Sequence, residues 1–208
     1  RDVYKRPDWY LAANIGTENA LGEHLLPGLN PNGVPKGLSG TALPFRYNHL
    51  DELKRIVETH GKNLAAIVME PIRSAQPAPG FLSGVRQLAD DCGAVLVVDE
   101  ISAGLRLCCG GAHLPLGLEP DMAVFSKALG NGYAIAAIIG KESVLKVVQD
   151  TFISSTNWTE RIGPVAALAT LRKHERLDLS AQLVRQALAV QDGWAAAAAL
   201  HGIPCSVS

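Results

Sequence analysis

The sequence predicts an α/β fold, a mainly parallel sheet flanked by helices, and three observations carry that prediction. Four short apolar runs, at residues 64–69, 94–98, 122–125 and 135–139, have the length of strands and lack polar interruptions. Segments with helical spacing alternate with them, as in strand–helix–strand units. The runs are apolar throughout rather than at every second position, so each strand is expected to be buried on both faces.

The elements follow in order. The first forty residues are rich in Gly, Pro and Asn, as in "LLPGLNPNGVPKGLSG", and read as irregular chain with several turns. Residues 48–60 form a helix with Leu50, Leu53, Ile56 and Val57 on one face and Asp51 near its start. After the strand at 64–69, a helix is expected over 81–91. The strand at 94–98 ends abruptly in Asp99 and Glu100, and the strand at 122–125 leads into Ser126 and Lys127. Helices are expected at 141–149, 163–174 and 179–200, the last two with Ala-rich faces. The tail "HGIPCSVS" reads as the start of a further strand, and a domain boundary is expected near residue 175.

Composition narrows the functional classes. The 208 residues are 48% hydrophobic and 19% charged, ordinary values for a soluble globular protein. The formal charge is −1 and no basic run occurs, so neither nucleic acid nor an anionic membrane is an expected partner. No apolar stretch reaches membrane-spanning length, and the N-terminus has no charged-then-apolar signal pattern. Four cysteines (Cys92, Cys108, Cys109 and Cys205) contain no CxxC pair. They read as reduced, mostly buried thiols of a cytoplasmic protein, with no metal site. A nicotinamide dehydrogenase is disfavoured because no G-x-G-x-x-G follows an early strand.

Two ionisable groups stand just past buried strands, where a parallel sheet places its ligand site. Asp99 directly ends "AVLVV", and Lys127 follows "MAVFS" and precedes the small-residue loop "ALGNGYA". From strand position alone they are equally well explained as solvated loop residues or a structural ion pair.

The surrounding wording points further. "IVMEPI", "VVDEISAGLR", "PDMAVFSKALGNGYAIAAIIG" and "SSTNWTERIGPVAALATL" occur in this order, and together they resemble the class III aminotransferases and glutamate-1-semialdehyde aminomutases. The resemblance runs from about Trp9 to the end. It implies the large domain of a pyridoxal 5'-phosphate (PLP) dependent transferase over residues 1–175, and the start of a small domain over 176–208. It also implies a homodimer acting on a small-molecule amine donor and a carbonyl acceptor. Lys127 then corresponds to the Schiff-base lysine, because PLP needs an amine to hold its aldehyde. Asp99 corresponds to the carboxylate that keeps the pyridine nitrogen protonated.

Further roles follow from the resemblance. Ile101 occupies the position of a small aliphatic residue packing on the ring, and Ser102 a position near the ring hydroxyl. Thr156 aligns with the residue that reaches the cofactor phosphate across the dimer interface, although Ser154, Ser155 and Thr156 also suit a polar turn. Glu70 is placed to orient the site or to serve structure, and Arg161 to meet a substrate carboxylate or to support a helix.

The chain departs from the family in two ways. The S-G-x-E-A turn that holds the PLP phosphate has no equivalent, and "GTENA" at 16–20 is a poor imitation of it. Where the family has a G-Y-H-G-like segment with a stacking ring, this chain reads "DVYKRPDW", so Tyr4 is the candidate for that ring. The chain begins at Arg1 and the small domain stops early, which suggests an excerpt or processed product. The competing expectation is a non-catalytic module that keeps the fold and dimer surface.

Overall fold

The computed structural model describes residues 7–17, 20–22, 29–154 and 159–206. The chain forms two compact units, Arg1–Gly61 and Lys62–Ser208.

In the first unit, helix α1 (Pro7–Gly16) replaces part of the irregular chain expected there. Its proline stands at the first helical position, where the missing N–H costs nothing. Leu11, Ala12 and Ala13 bury themselves with Leu21 and Val34 in a small core. Asn14 joins the turns to this helix: its Oδ1 accepts from the Leu21 N–H at 3.1 Å, and its amide donates to the Leu29 carbonyl at 2.9 Å. Helix α2 (Leu50–His60) lies within the expected span. Glu52 in its first turn accepts from the Arg46 backbone N–H at 2.8 Å and from Arg46 Nε at 2.7 Å, which fixes the chain entering the helix.

The second unit is built on a sheet in the order β1 (Ala66–Met69), β2 (Val95–Asp99), β3 (Met122–Phe125) and β4 (Ala137–Gly140). The first three strands run parallel, and β4 pairs antiparallel with β3. Helix α3 (Phe81–Cys92) makes the crossover from β1 to β2. Phe81, Val85, Ala89 and Cys92 recur at three- and four-residue spacing and are buried. The helix stops at Gly93, whose φ of +73° is natural only for a residue without Cβ, and its N–H bonds the carbonyls of Ala89 and Asp90. Short α4 (Glu142–Leu145), α5 (Ile162–Leu177) and α6 (Leu179–Leu200) complete the unit.

One carboxylate ties these layers together. Asp121 accepts from the Leu96 N–H at 2.8 Å, from Arg86 of α3 at 2.9 Å and from Lys141 beyond β4 at 2.7 Å.

The structure corrects several expectations. The strands are not buried on both faces among the described residues. Ile67, Met69, Leu96, Val98, Ala123 and Phe125 are buried on one face. The register puts Val68, Val97, Met122, Val124 and Ile138 on the other, where Val68 is 57% and Ile138 58% exposed. A continuous apolar run says that a strand can be covered twice, but the covering elements must come from elsewhere in the chain or assembly. The helix expected over 141–149 is one α-helical turn followed by a 3₁₀ segment, Lys146–Asp150. Residues 203–206 form no strand. Of the four free cysteines only Cys92 is buried, while Cys109 and Cys205 are exposed.

Candidate active site

Asp99 closes β2 opposite Val124 of β3, with only 8% of its surface exposed. Its Oδ1 accepts from the Ile101 N–H at 3.0 Å, turning the chain back on itself just past the strand. The Glu100 N–H donates to the Val124 carbonyl at 2.9 Å, so the ladder with β3 continues one residue beyond Asp99.

Lys127 lies two residues past β3 and opens a 3₁₀ turn, Lys127–Leu129. Its φ is +46°, an uncommon conformation for a residue with a Cβ and one that concentrates at functional sites. Two ties hold this turn: Ser126 Oγ donates to the Ile135 carbonyl at 3.0 Å, and the Asn131 N–H donates to the Lys127 carbonyl at 3.1 Å. Gly130 must be glycine, because a Cβ there would lie 2.1 Å from the Tyr133 carbonyl oxygen.

The two strand ends meet through Ser102. Lys127 Nζ donates to Ser102 Oγ at 2.8 Å, across 25 residues of sequence. The Ser102 carbonyl also accepts from Arg106. Lys127 is exposed, whereas Ile101 and Ser102 are half-buried. A cavity of about 500 Å³ adjoins Lys127, with Arg106, Asn131, Thr170, His174 and Gln182 in its wall.

The loop after Asp99 is anchored from below. Glu100 has no exposed surface. It accepts from the Ala112 N–H and the His113 N–H, both at 2.9 Å, and lies 2.7 Å from His113 Nδ1. His174 of α5, also buried, has Nε2 2.9 Å from the Leu105 carbonyl, which it must face as a donor. Neither histidine stood out in the sequence, because their partners lie 13 and 69 residues away. The signal that could have found Glu100 was its place: a second acid directly at a buried strand end needs donors nearby.

The remaining candidates are more peripheral. Glu70 is half-buried and pairs with Arg73 at 3.2 Å. Arg161 is exposed immediately before α5, where its neighbour Glu160 caps the helix by accepting from the N–H groups of Ile162 and Gly163. Those N–H groups hold the Glu160 carboxyl below its usual range. Ser154 is exposed, and Ser155, Thr156 and Tyr4 lie outside the described residues. No cluster of three metal-ligating side chains occurs among the described residues, and no described helix is long and apolar enough to cross a membrane.

The mainly parallel sheet flanked by helices is the large-domain fold of the PLP-dependent transferases. Two solved relatives share it. The FumI protein of Sphingopyxis sp. MTA144, in its PLP internal aldimine form, is 27% identical with a TM-score of 0.76, the match covering 82% of this chain and 42% of that one. An omega-transaminase from Sphaerobacter thermophilus is 26% identical with a TM-score of 0.77, covering 96% and 48%. The aminotransferase class-III family model matches residues 43–201, and the chain belongs to that family. Its similar relatives include the 3-aminobutyryl-CoA aminotransferase of Cloacimonas acidaminovorans (strain Evry), 41% identical over 151 residues, or 69% of this chain and 36% of the relative. The glutamate-1-semialdehyde 2,1-aminomutase of Heliobacterium modesticaldum (strain ATCC 51547 / Ice1) is 33% identical over 179 residues, 83% of this chain and 41% of the relative. The chain thus spans well under half the length of these curated relatives.

Proposed function

We propose that this chain carries the cofactor-binding core of a PLP-dependent aminotransferase or aminomutase, with Lys127 as the lysine that holds the cofactor. The observation that carries this reading is the 2.8 Å bond from Lys127 Nζ to Ser102 Oγ, three residues past Asp99. It brings an amine to the loop that a buried carboxylate begins, and an amine, a carboxylate and a neighbouring hydroxyl suit the aldehyde, pyridine nitrogen and ring hydroxyl of PLP. When bound, PLP supplies an electron sink for a substrate carbon next to nitrogen.

The residues of the chain do the rest. Lys127 would hold the cofactor aldehyde, and its Nζ would be the group that carries protons at the substrate carbon. Asp99 holds a proton on the pyridine nitrogen, and its burial strengthens that charge–charge contact. Ile101 packs against the ring, and Ser102 orients both Lys127 and the ring hydroxyl. We assign Thr156 to the cofactor phosphate across a homodimer interface and Tyr4 to the ring face. Residues 1–175 make the PLP-binding large domain in this reading, and 176–208 begin the small domain. The substrates are a small-molecule amine donor and a carbonyl acceptor, and the site of action is cytoplasmic.

The test is reduction of the purified chain with borohydride in the presence of PLP, followed by peptide mapping. Lys127 is expected to carry the label, and Lys127→Ala to abolish it. A folded chain that leaves Lys127 unlabelled would falsify the assignment and favour a non-catalytic module. Asp99→Asn is expected to weaken PLP retention by ten- to a thousandfold; the upper figure reflects about 4 kcal/mol for a charge pair at roughly 4 Å and an effective dielectric near 20. Equilibrium dialysis against PLP measures it.

A further inference from the structure

We infer that the buried Glu100–His113 pair is a positioning device for Lys127, acting through the loop that carries Ser102. The inference rests on Lys127 being the cofactor lysine only for its consequence in catalysis; the mechanical link stands on the geometry alone. Glu100 has no exposed surface and His113 only 9%. A carboxylate so placed is strongly disfavoured without donors, and here the three donors all come from residues 112 and 113. The chain leaves the sheet at Glu100, passes through Ser102 and Arg106, and returns to the same carboxylate. Segment 101–111 is therefore a loop closed by one side chain.

Packing at the closure admits little slack. A Cβ on Gly111 would lie 2.8 Å from Glu100 Oε1 and 2.2 Å from His113 Nδ1. A Cβ on Gly104 would lie 2.7 Å from the Glu100 carbonyl oxygen and 2.8 Å from the Phe125 ring. Inside the loop, the Gly104 N–H donates to the Glu100 carbonyl and the Leu105 N–H to the Gly110 carbonyl, both at 2.8 Å. Ser102 lies within the Glu100–Gly104 tie, and the Leu105–Gly110 tie joins that turn to the return limb, so the backbone links the place of its Oγ, and with it the lysine amine, to the closure. Removing the His113 side-chain donor leaves the carboxylate with its two backbone donors alone and frees the return limb of the loop.

Competitive acetylation with trace acetic anhydride reads this without any cofactor. Lys141, bonded to Asp121 at 2.7 Å, serves as the control for general loosening. In His113→Leu the reactivity of Lys127 relative to Lys141 is expected to rise about fivefold, the fold-change of losing one hydrogen bond. His113→Gln, whose amide can donate to Glu100, is expected to restore the ratio. Glu100→Gln, which keeps the shape but not the acceptor pattern, should raise the ratio as His113→Leu does, and it takes that variant's place if His113→Leu does not fold. An unchanged ratio in a folded variant, or an equal rise at Lys141, overturns the positioning role. PLP labelling of the same samples separates the two readings. A wild-type chain that fails to label overturns the cofactor assignment, while the acetylation ratio still decides the positioning role.

Discussion

Asp121 illustrates how one residue can tie three segments of a fold together. Burial pushes its carboxyl up, but the bonds from Lys141, the Leu96 N–H and Arg86 outweigh this and hold it below the usual carboxylate range. A carboxyl depressed in the folded state stabilises at pH values above its unfolded value of about 3.9. That contribution is lost as pH falls through the lower, folded value. Urea denaturation at pH 7 and pH 3 is therefore expected to show a wild-type advantage over Asp121→Asn that shrinks at the lower pH. An advantage that stayed constant would mean that the carboxylate charge is not what matters. At the same scale, the positive φ of Lys127 is strain held in the turn that presents the amine.

Among the elements, β2 carries the most. It pairs with both neighbours, buries Leu96 and Val98 completely and delivers Asp99 to its end. Leu96→Ala should cost about 2–5 kcal/mol, the range for a buried leucine removed from a packed core, read from the denaturation midpoint. A loss well under 1 kcal/mol would mean that the strand is not the mechanical centre described. Helix α3 was legible in advance because its apolar positions recur at helical spacing and a glycine ends it. Helix α1 was not, because its segment is flanked by Gly, Pro and Asn, and three buried apolar residues outweigh that local signal. The 141–149 segment failed in the opposite sense: helical spacing was present, but none of its residues is buried to hold an α-helix together.

For the molecule as a whole, the open face of the sheet is the feature with consequences. Val68 and Ile138 are more than half exposed, with Val97, Met122 and Val124 between them only partly covered. An apolar dye such as anilinonaphthalene sulfonate is expected to fluoresce on the isolated chain, and Val68→Ser with Ile138→Ser to reduce the signal at least about twofold. Equal fluorescence in the double variant would place the dye elsewhere.

The chain itself determined where strands and helices could form, because periodicity and turn residues are local properties of the sequence. It also determined the family, through four motifs in fixed order, and it put an acid and an amine at the ends of successive parallel strands. Tertiary structure alone decided the strand register, which sheet face is covered and how Ser102 links Lys127 to the loop after Asp99. It alone revealed the closure of that loop by Glu100 and His113 and the bonds of Asp121 to three separate segments. These depend on groups 12 to 35 residues apart, or on cover supplied by other segments, and such distances leave no trace in local spacing.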